Sequence, residues 1–275
     1  MMLDCLINGE ISERISVTDR GFQYGHGVFE TMAADRGVPV MWQWHFIRLG
    51  LGCERLGLPV PEETVLLREI QTVCSGRQRA LVKLTVTGGE GTRGYQFTRP
   101  VASNRVVASF PFPEKVVAAR NSGVRIRICE QKMALNRPLA AIKHLNRLEQ
   151  VLARAEWEDP AIADGLMLDQ ENFVIAATSA NLFLVSDGLL LTPRLDRCGI
   201  HGVVRAAILS EFNSSSEKRR ITTEFLHEVD EVFICNSVRG IWPVIKIEDQ
   251  EFDIGPRTRE IQEWLGSKSP LLARS

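Results

Sequence analysis

Leu139-Ala140-Ala141-Ile142-Lys143-His144-Leu145-Asn146-Arg147-Leu148-Glu149-Gln150 joins an apolar run to the start of a helix, with a single lysine in the apolar part. The helical spacing continues through Leu148, Val151, Leu152 and Ala155, so Asn146 to Trp157 is expected to be helical. An amine in apolar surroundings loses hydration, which disfavours its charged form and leaves a nucleophile. Lysines of that kind form Schiff bases with carbonyl compounds. A lysine that only lays its stem on apolar surface and keeps its ammonium in water gives the same pattern. Chemistry alone leaves both open.

Upstream of this stretch the period is mostly two. Leu3 to Ile7 ends in Asn8-Gly9, a dipeptide suited to a tight hairpin. Val28 to Ala33 and Val38 to Trp42 flank Asp35-Arg36-Gly37, a second hairpin signal. Phe46, Leu49, Cys53 and Leu56 predict a helix over 45–56, and Leu66, Leu67, Ile70 and Val73 predict another after Pro61-Glu62-Glu63. Ala80 to Thr87 and Arg105 to Phe110 read as strands around a glycine-rich loop. Phe110-Pro111-Phe112-Pro113 is stiff, and a boundary is expected there, giving a smaller domain over 1–112 and a larger one over 113–275.

Downstream, strands are expected at Val124–Cys129, Gly165–Asp169, Phe173–Ala176, Asn181–Val185, Leu189–Leu191 and Glu231–Cys235. Helices are expected at Val203–Phe212 and Arg257–Leu265. Many short strands, several helices and no sustained βαβ rhythm make the fold class α+β.

The 275 residues carry 33 basic and 34 acidic side chains, so no global field draws nucleic acid or an anionic membrane surface. An apolar fraction of 44% excludes a disordered chain. There is neither an 18-residue apolar run nor the basic-then-apolar plan of a signal peptide. The six cysteines (5, 53, 74, 129, 198 and 235) lie far apart without CxxC pairs, as reduced thiols of a cytoplasmic protein would. Cys198 and His201 lack a second pair of ligands, and no metal site is expected.

The loop Gly88-Gly89-Glu90-Gly91-Thr92-Arg93-Gly94 lacks the Lys-Ser/Thr ending of a phosphate loop. It reads as a flexible loop with Arg93 at its tip, a position equally suited to an ordinary solvated charge. Gly202-Val203-Val204-Arg205 opens a helix whose first amides are available to an anion, although most helix starts bind only water.

Lys143-His144-Leu145-Asn146-Arg147-Leu148-Glu149-Gln150-Val151-Leu152 closely resembles the lysine segment of bacterial aminodeoxychorismate lyases. These belong to the fold-type IV class of pyridoxal-phosphate enzymes, with the branched-chain and D-amino-acid aminotransferases. Further segments agree in order: Asp19-Arg20-Gly21 with Tyr24-Gly25-His26-Gly27-Val28-Phe29-Glu30-Thr31, His45-Phe46-Ile47-Arg48-Leu49, and Gly91-Thr92-Arg93-Gly94-Tyr95. So do Ser179-Ala180-Asn181-Leu182-Phe183, Thr192-Pro193 with Gly202-Val203-Val204-Arg205, and Cys235-Asn236-Ser237 with Pro243-Val244.

The resemblance implies a two-domain fold-type IV enzyme with a smaller N-terminal α/β domain and a larger, β-rich C-terminal domain that binds pyridoxal 5'-phosphate. Lys143 would hold the cofactor covalently, and Lys143 and Thr31 would be the catalytic residues. Arg48, the amides of Val203 and Val204, and Ser237 would take its phosphate. Thr31 and Asn236 would line the substrate side, with Asn236 also near the cofactor, and Arg93 would pair with a substrate carboxylate. A homodimer in the cytoplasm is implied, with a small-molecule substrate and neither nucleic acid nor membrane as partner.

One position departs from the class pattern. A glutamate that meets the pyridine nitrogen is expected five residues before Asn181, and Ala176 stands there; Glu171 is expected in a turn. The implied activity is cleavage of 4-amino-4-deoxychorismate to 4-aminobenzoate and pyruvate, for folate synthesis. Two alternatives stand beside it: a branched-chain or D-amino-acid aminotransferase, and a homologue that binds the cofactor with reduced or lost catalysis.

Overall fold

The computed structural model describes residues 4–97 and 99–274, leaving aside the side chain of Lys115. It divides into two compact units. One comprises residues up to Pro113 together with Ile142–Asn146, and the other comprises Glu114–Ala141 and the chain from Arg147 onward. A single cut after residue 112 therefore misses one feature: the strip that carries Lys143 belongs with the N-terminal unit, although the sequence alone assigns it to the C-terminal part.

The first unit contains β1 (Asp4–Ile7), β2 (Glu10–Ile11), α1 (Arg20–Tyr24), β3 (Gly27–Asp35), β4 (Val38–Pro39), α2 (Trp42–Leu56), α3 (Glu63–Val73), β5 (Arg79–Thr87) and β6 (Asn104–Pro111). The strands form a six-stranded antiparallel sheet in the order β2-β1-β6-β5-β3-β4. Both predicted hairpins form, with Asn8 and Gly9, and then Arg36 and Gly37, at positive φ. Leu3, expected to open the first strand, lies outside the described residues. The second strand of the second hairpin is shorter than expected. Met41 takes a left-handed conformation, and Trp42, expected in that strand, begins α2 instead.

Period-two alternation along β3 sends Val28, Glu30, Met32 and Ala34 to the buried side, against α2 and α3. Leu49 and Cys53 from α2 and Leu66, Ile70 and Val73 from α3 complete that core. The strip 142–146 is hydrogen-bonded to the first residues of β3. Phe29 N donates to Lys143 O at 2.9 Å and Leu145 N donates to Gly27 O at 3.0 Å.

The second unit contains α4 (Ala118–Ser122), β7 (Val124–Ile128), α5 (Leu148–Arg154), β8 (Ile162–Leu168), β9 (Val174–Ala177), β10 (Asn181–Ser186), β11 (Leu189–Pro193), α6 (Val203–Glu211), β12 (Ser216–Arg219), β13 (Glu231–Asn236), β14 (Gly240–Ile247), β15 (Gln250–Glu251) and α7 (Pro256–Lys268). Its main sheet runs β12-β11-β10-β13-β14-β7-β8-β9, with β15 paired to β14. The pairs β11–β12, β14–β7 and β7–β8 are parallel. Together the units make the α+β, two-domain architecture of fold-type IV enzymes.

Arg120 is buried in the middle of α4 with no carboxylate partner among the described residues. It donates instead to the carbonyls of Val238, Arg239, Leu271 and Ala273. Burial pushes its guanidinium down to about 10.

Helix α5 differs from its expected form. It stops at Arg154, and its apolar stripe points outward: Leu148, Val151 and Leu152 are 68%, 60% and 49% exposed. Trp44, Ile47 and Leu51 form a second outward stripe on α2 at helical spacing. The six cysteines are free and buried. No described helix is long and apolar enough to cross a membrane.

Candidate active site

In the first unit the site is built around one carboxylate. Glu30 points inward from β3 and is buried, where an unpaired charge would be costly. It is paired twice. Arg48, one turn along α2 from His45, donates Nε to Glu30 Oε1 at 2.8 Å and Nη2 to Oε2. His45 Nδ1 stands 2.5 Å from the same Oε2. Burial alone would raise the Glu30 pKa, but Arg48 and His45 outweigh it and hold the group at about 2. His45 moves down, because burial and the charges of Arg48 and Lys143 outweigh the pull of Glu30. The imidazole is therefore neutral, with Nδ1–H donated to Glu30, and its buried Nε2 has no hydrogen-bond partner.

Lys143 is half-buried, with Nζ 4.3 Å from the centroid of the Phe29 ring. Its backbone is fixed by the hydrogen bond to Phe29, and Ile142 before it is buried. Thr31 follows two residues later on the same face of β3 as Phe29, opposite Lys83 of β5. The unit thus brings Lys143, Phe29, Glu30, His45 and Arg48 into one electrostatic neighbourhood, with Thr31 beside it along the strand.

Arg93 is exposed, and no described residue pairs with it. Its loop is nevertheless anchored. Arg20 donates to the carbonyls of Gly94, Tyr95 and Gln96, and Gly94 N donates to the Tyr24 hydroxyl. Asp19 caps α1 and accepts from the Thr87 hydroxyl and the Asn104 amide. The Asp19-Arg20-Gly21 motif is therefore the base of the loop, a role its sequence did not show.

In the second unit α6 begins at Gly202 without a capping side chain. Gly202 N donates to Asn181 Oδ1 at 3.0 Å, and Asn181 Nδ2 donates to the carbonyl of Ile200. A Cβ on Gly202 would lie 2.0 Å from Asn181 Oδ1, so this corner demands glycine. The helical ladder starts at Ala206 N, which leaves the amides of Val203 and Val204 without intrahelical acceptors.

Ser237 is buried just beyond β13. The carboxamide of Asn236 is engaged in the turn around it: Oδ1 accepts from the amides of Val238 and Arg239, and Nδ2 donates to Ser179 O. That turn is further braced by Asp164, which accepts from Thr178, Ser179 and Arg239.

Ala176 lies on β9 in an apolar cluster with Met167, Trp157 and Leu195. Glu171 is in the preceding turn, as expected, with both oxygens on Arg197.

Each unit carries groups that suit pyridoxal phosphate: in the first an amine for an aldehyde and a guanidinium for a phosphate, in the second uncapped helix amides for a phosphate. Ala176 adds no carboxylate to these groups.

The Amino-transferase class IV family profile matches residues 27–247. Aminodeoxychorismate lyase from Vibrio harveyi is 34% identical over 93% of this chain and 97% of its own. A putative branched-chain-amino-acid aminotransferase from Methanocaldococcus jannaschii is 27% identical over 92% and 91%. Among solved structures, 4-amino-4-deoxychorismate lyase from Pseudomonas aeruginosa superposes with a TM-score of 0.89, at 39% identity over 96% of this chain and 98% of that one. The family is pyridoxal-phosphate dependent. This chain belongs to the class IV aminotransferases.

Proposed function

We propose that this protein is an aminodeoxychorismate lyase that uses pyridoxal 5'-phosphate to convert 4-amino-4-deoxychorismate to 4-aminobenzoate and pyruvate. The observation that carries the reading is the lysine segment. It is the lyase-like stretch of the sequence, and it lies along β3 with Lys143 over Phe29, beside the Glu30–Arg48 pair. The greater identity to lyases, 34% and 39% against 27% for the aminotransferase relative, favours the lyase over amino transfer.

When bound, the cofactor supplies an electron sink for the carbon that bears the substrate amine. Lys143 would hold the cofactor, and its Nζ would accept the proton from that ring carbon. The C–O bond to the enolpyruvyl group breaks, the ring becomes aromatic, and the departing enolpyruvate takes up a proton to become pyruvate.

Arg48, the amides of Val203 and Val204, and the Ser237 hydroxyl take the phosphate. Glu30 holds the Arg48 guanidinium in one orientation through two hydrogen bonds. Thr31 lines the substrate side, as does Asn236, and Arg93 takes a substrate carboxylate. The protein works in the cytoplasm in folate synthesis, as a homodimer whose contacts cover the outward stripes of α2 and α5.

The test is incubation of cofactor-loaded protein with 4-amino-4-deoxychorismate and no keto acid. Equal amounts of 4-aminobenzoate and pyruvate are expected. Rapid amino transfer from leucine or D-alanine to 2-oxoglutarate, with no 4-aminobenzoate formed, would replace the lyase with an aminotransferase.

A further inference from the structure

Arg205 belongs to the Gly202-Val203-Val204-Arg205 run of the sequence, yet neither the cofactor nor the substrate roles above use it. It is the third residue of α6 and is 3% exposed. Its guanidinium donates from Nε to the Thr192 hydroxyl at 3.1 Å and from Nη2 to the Pro193 carbonyl at 2.9 Å. The Thr192 hydroxyl in turn donates a hydrogen bond to the Leu182 carbonyl at 2.8 Å. All these partners are neutral. No carboxylate among the described residues pairs with Arg205.

Cys235 is the group that interacts with it electrostatically, but burial pushes that thiol up to about 12, so it carries no charge to offset the guanidinium. Burial in turn pushes Arg205 down to about 10, which still leaves it cationic at neutral pH.

Two independent costs meet at this residue. A buried cation is disfavoured unless an anion compensates it. A cation in the first turn of a helix also opposes the helix dipole, whose N-terminal end is already positive. Stability alone would favour a neutral residue here, so the charge calls for an anion that the polypeptide does not supply. Two other buried guanidiniums, Arg20 and Arg120, also have no carboxylate partner among the described residues. Arg120 spends its donors on four carbonyls and Arg20 on three carbonyls and His26, and each lies in a five-residue helix. Arg205 lies at the one helix start that the sequence nominates for phosphate.

We propose that Arg205 is an electrostatic positioning residue for the cofactor phosphate: a built-in buried charge whose counter-ion is the dianion at the α6 amides, so that phosphate capture and the stability of the C-terminal unit are coupled. The inference rests on the phosphate placement given under the proposed function. Arg205 need not touch the phosphate. It raises the local potential while Thr192 and Pro193 hold its head fixed.

The experiment compares dissociation constants for pyridoxal 5'-phosphate and for pyridoxal, which lacks the phosphate, in the parent and in R205K, R205Q and R205M, and records thermal unfolding with and without each compound. R205Q and R205M are expected to lose roughly tenfold or more in affinity for pyridoxal phosphate while their affinity for pyridoxal stays within twofold of the parent. Their stabilisation by saturating pyridoxal phosphate should shrink, and R205K should keep the parent's preference for the phosphorylated compound. The two neutral variants differ in polarity, so failure of one to fold leaves the other to decide. An unchanged ratio of the two affinities in a folded neutral variant would overturn the proposal, as would an equal loss for both compounds, the mark of a merely structural arginine. If the parent itself does not distinguish the two compounds, the phosphate placement falls and Arg205 falls with it.

Discussion

Arg48 offers two nitrogens to the single buried carboxylate of Glu30, so the guanidinium nominated for the cofactor phosphate is already oriented within its own unit. Replacing Arg48 by alanine removes one charge-assisted partner of the phosphate, at a cost of about 1.5–3 kcal/mol, or roughly ten- to a hundredfold in cofactor affinity. It also leaves buried Glu30 with His45 as its remaining partner in this cluster, so the apo protein should lose stability as well. Fluorescence titration with pyridoxal phosphate, alongside thermal melts, measures both. Unchanged affinity in a folded variant would remove Arg48 from the phosphate site.

The same cluster sets an acid limit. Glu30 is held at about 2 against an ordinary value of 4.5, so the unfolded chain binds its proton first as the pH falls. The associated stability, on the order of 3 kcal/mol, is present above about pH 4.5 and is lost as the pH falls towards 2. His45 is also lowered, and it adds a loss that begins below its unfolded value of about 6.5. Urea unfolding across this range should therefore show stability falling from pH 6.5 downward. Glu30→Gln should flatten the lower part of the curve and His45→Asn the upper part. Curves that superpose on the parent's would show that this cluster does not set the acid limit.

Lys143 should be the residue that borohydride fixes to the cofactor. Peptide mapping after reduction is expected to find the label there, and Lys143→Ala should lower turnover by about 10⁴-fold or more while the protein stays folded. A label at another lysine, Lys83 for instance, whose Nζ lies 5.3 Å from the same Phe29 ring, would reassign the chemistry.

Ala176→Glu tests the missing carboxylate. Its neighbours Met167, Trp157 and Leu195 are packed, so the added atoms should cost about 1–3 kcal/mol of stability. In the cofactor-loaded enzyme a carboxylate at the pyridine nitrogen should raise turnover by as much as about 10²-fold. A loaded, folded variant that is no faster would show that the native reaction runs without a protonated ring.

Ile47→Glu on α2 and Val151→Glu on α5 put a charge on stripes that are open to solvent in the single chain. Each should shift the protein from dimer to monomer in light scattering, with little change in the melting of the monomer. A parent already monomeric at micromolar concentration would refute the dimer.

The parts of the fold with strict period were legible in the sequence: both hairpins, α2, α3, β5 and β6 fall where alternation and three-four spacing place them. The stripe at Leu148, Val151 and Leu152 was legible as a helix, but periodicity tells a helix from a strand and not which side faces the core. β14 went unread because Pro243 stands in its middle, and proline argues against an interior strand. In the structure Pro243 pairs with Phe233 regardless.

The site was legible where it follows motifs and obscure where it depends on distant pairing. Lys143 stood out, but its alignment with β3 spans more than a hundred residues. Glu30 had a signal that went unused: a charge at an inward position of an alternating strand must have a partner. Its partners lay fifteen and eighteen residues further on, at the same spacing within the His45-to-Arg48 turn.

Arg120 ties the carbonyls of Leu271 and Ala273 to those of Val238 and Arg239, the turn that follows Ser237. The segment carrying Leu271 and Ala273 is thus a strut for a turn upstream of it. Trimming that segment, or attaching a purification tag that pulls on it, would release the arginine from half its acceptors and disturb a turn assigned to the phosphate.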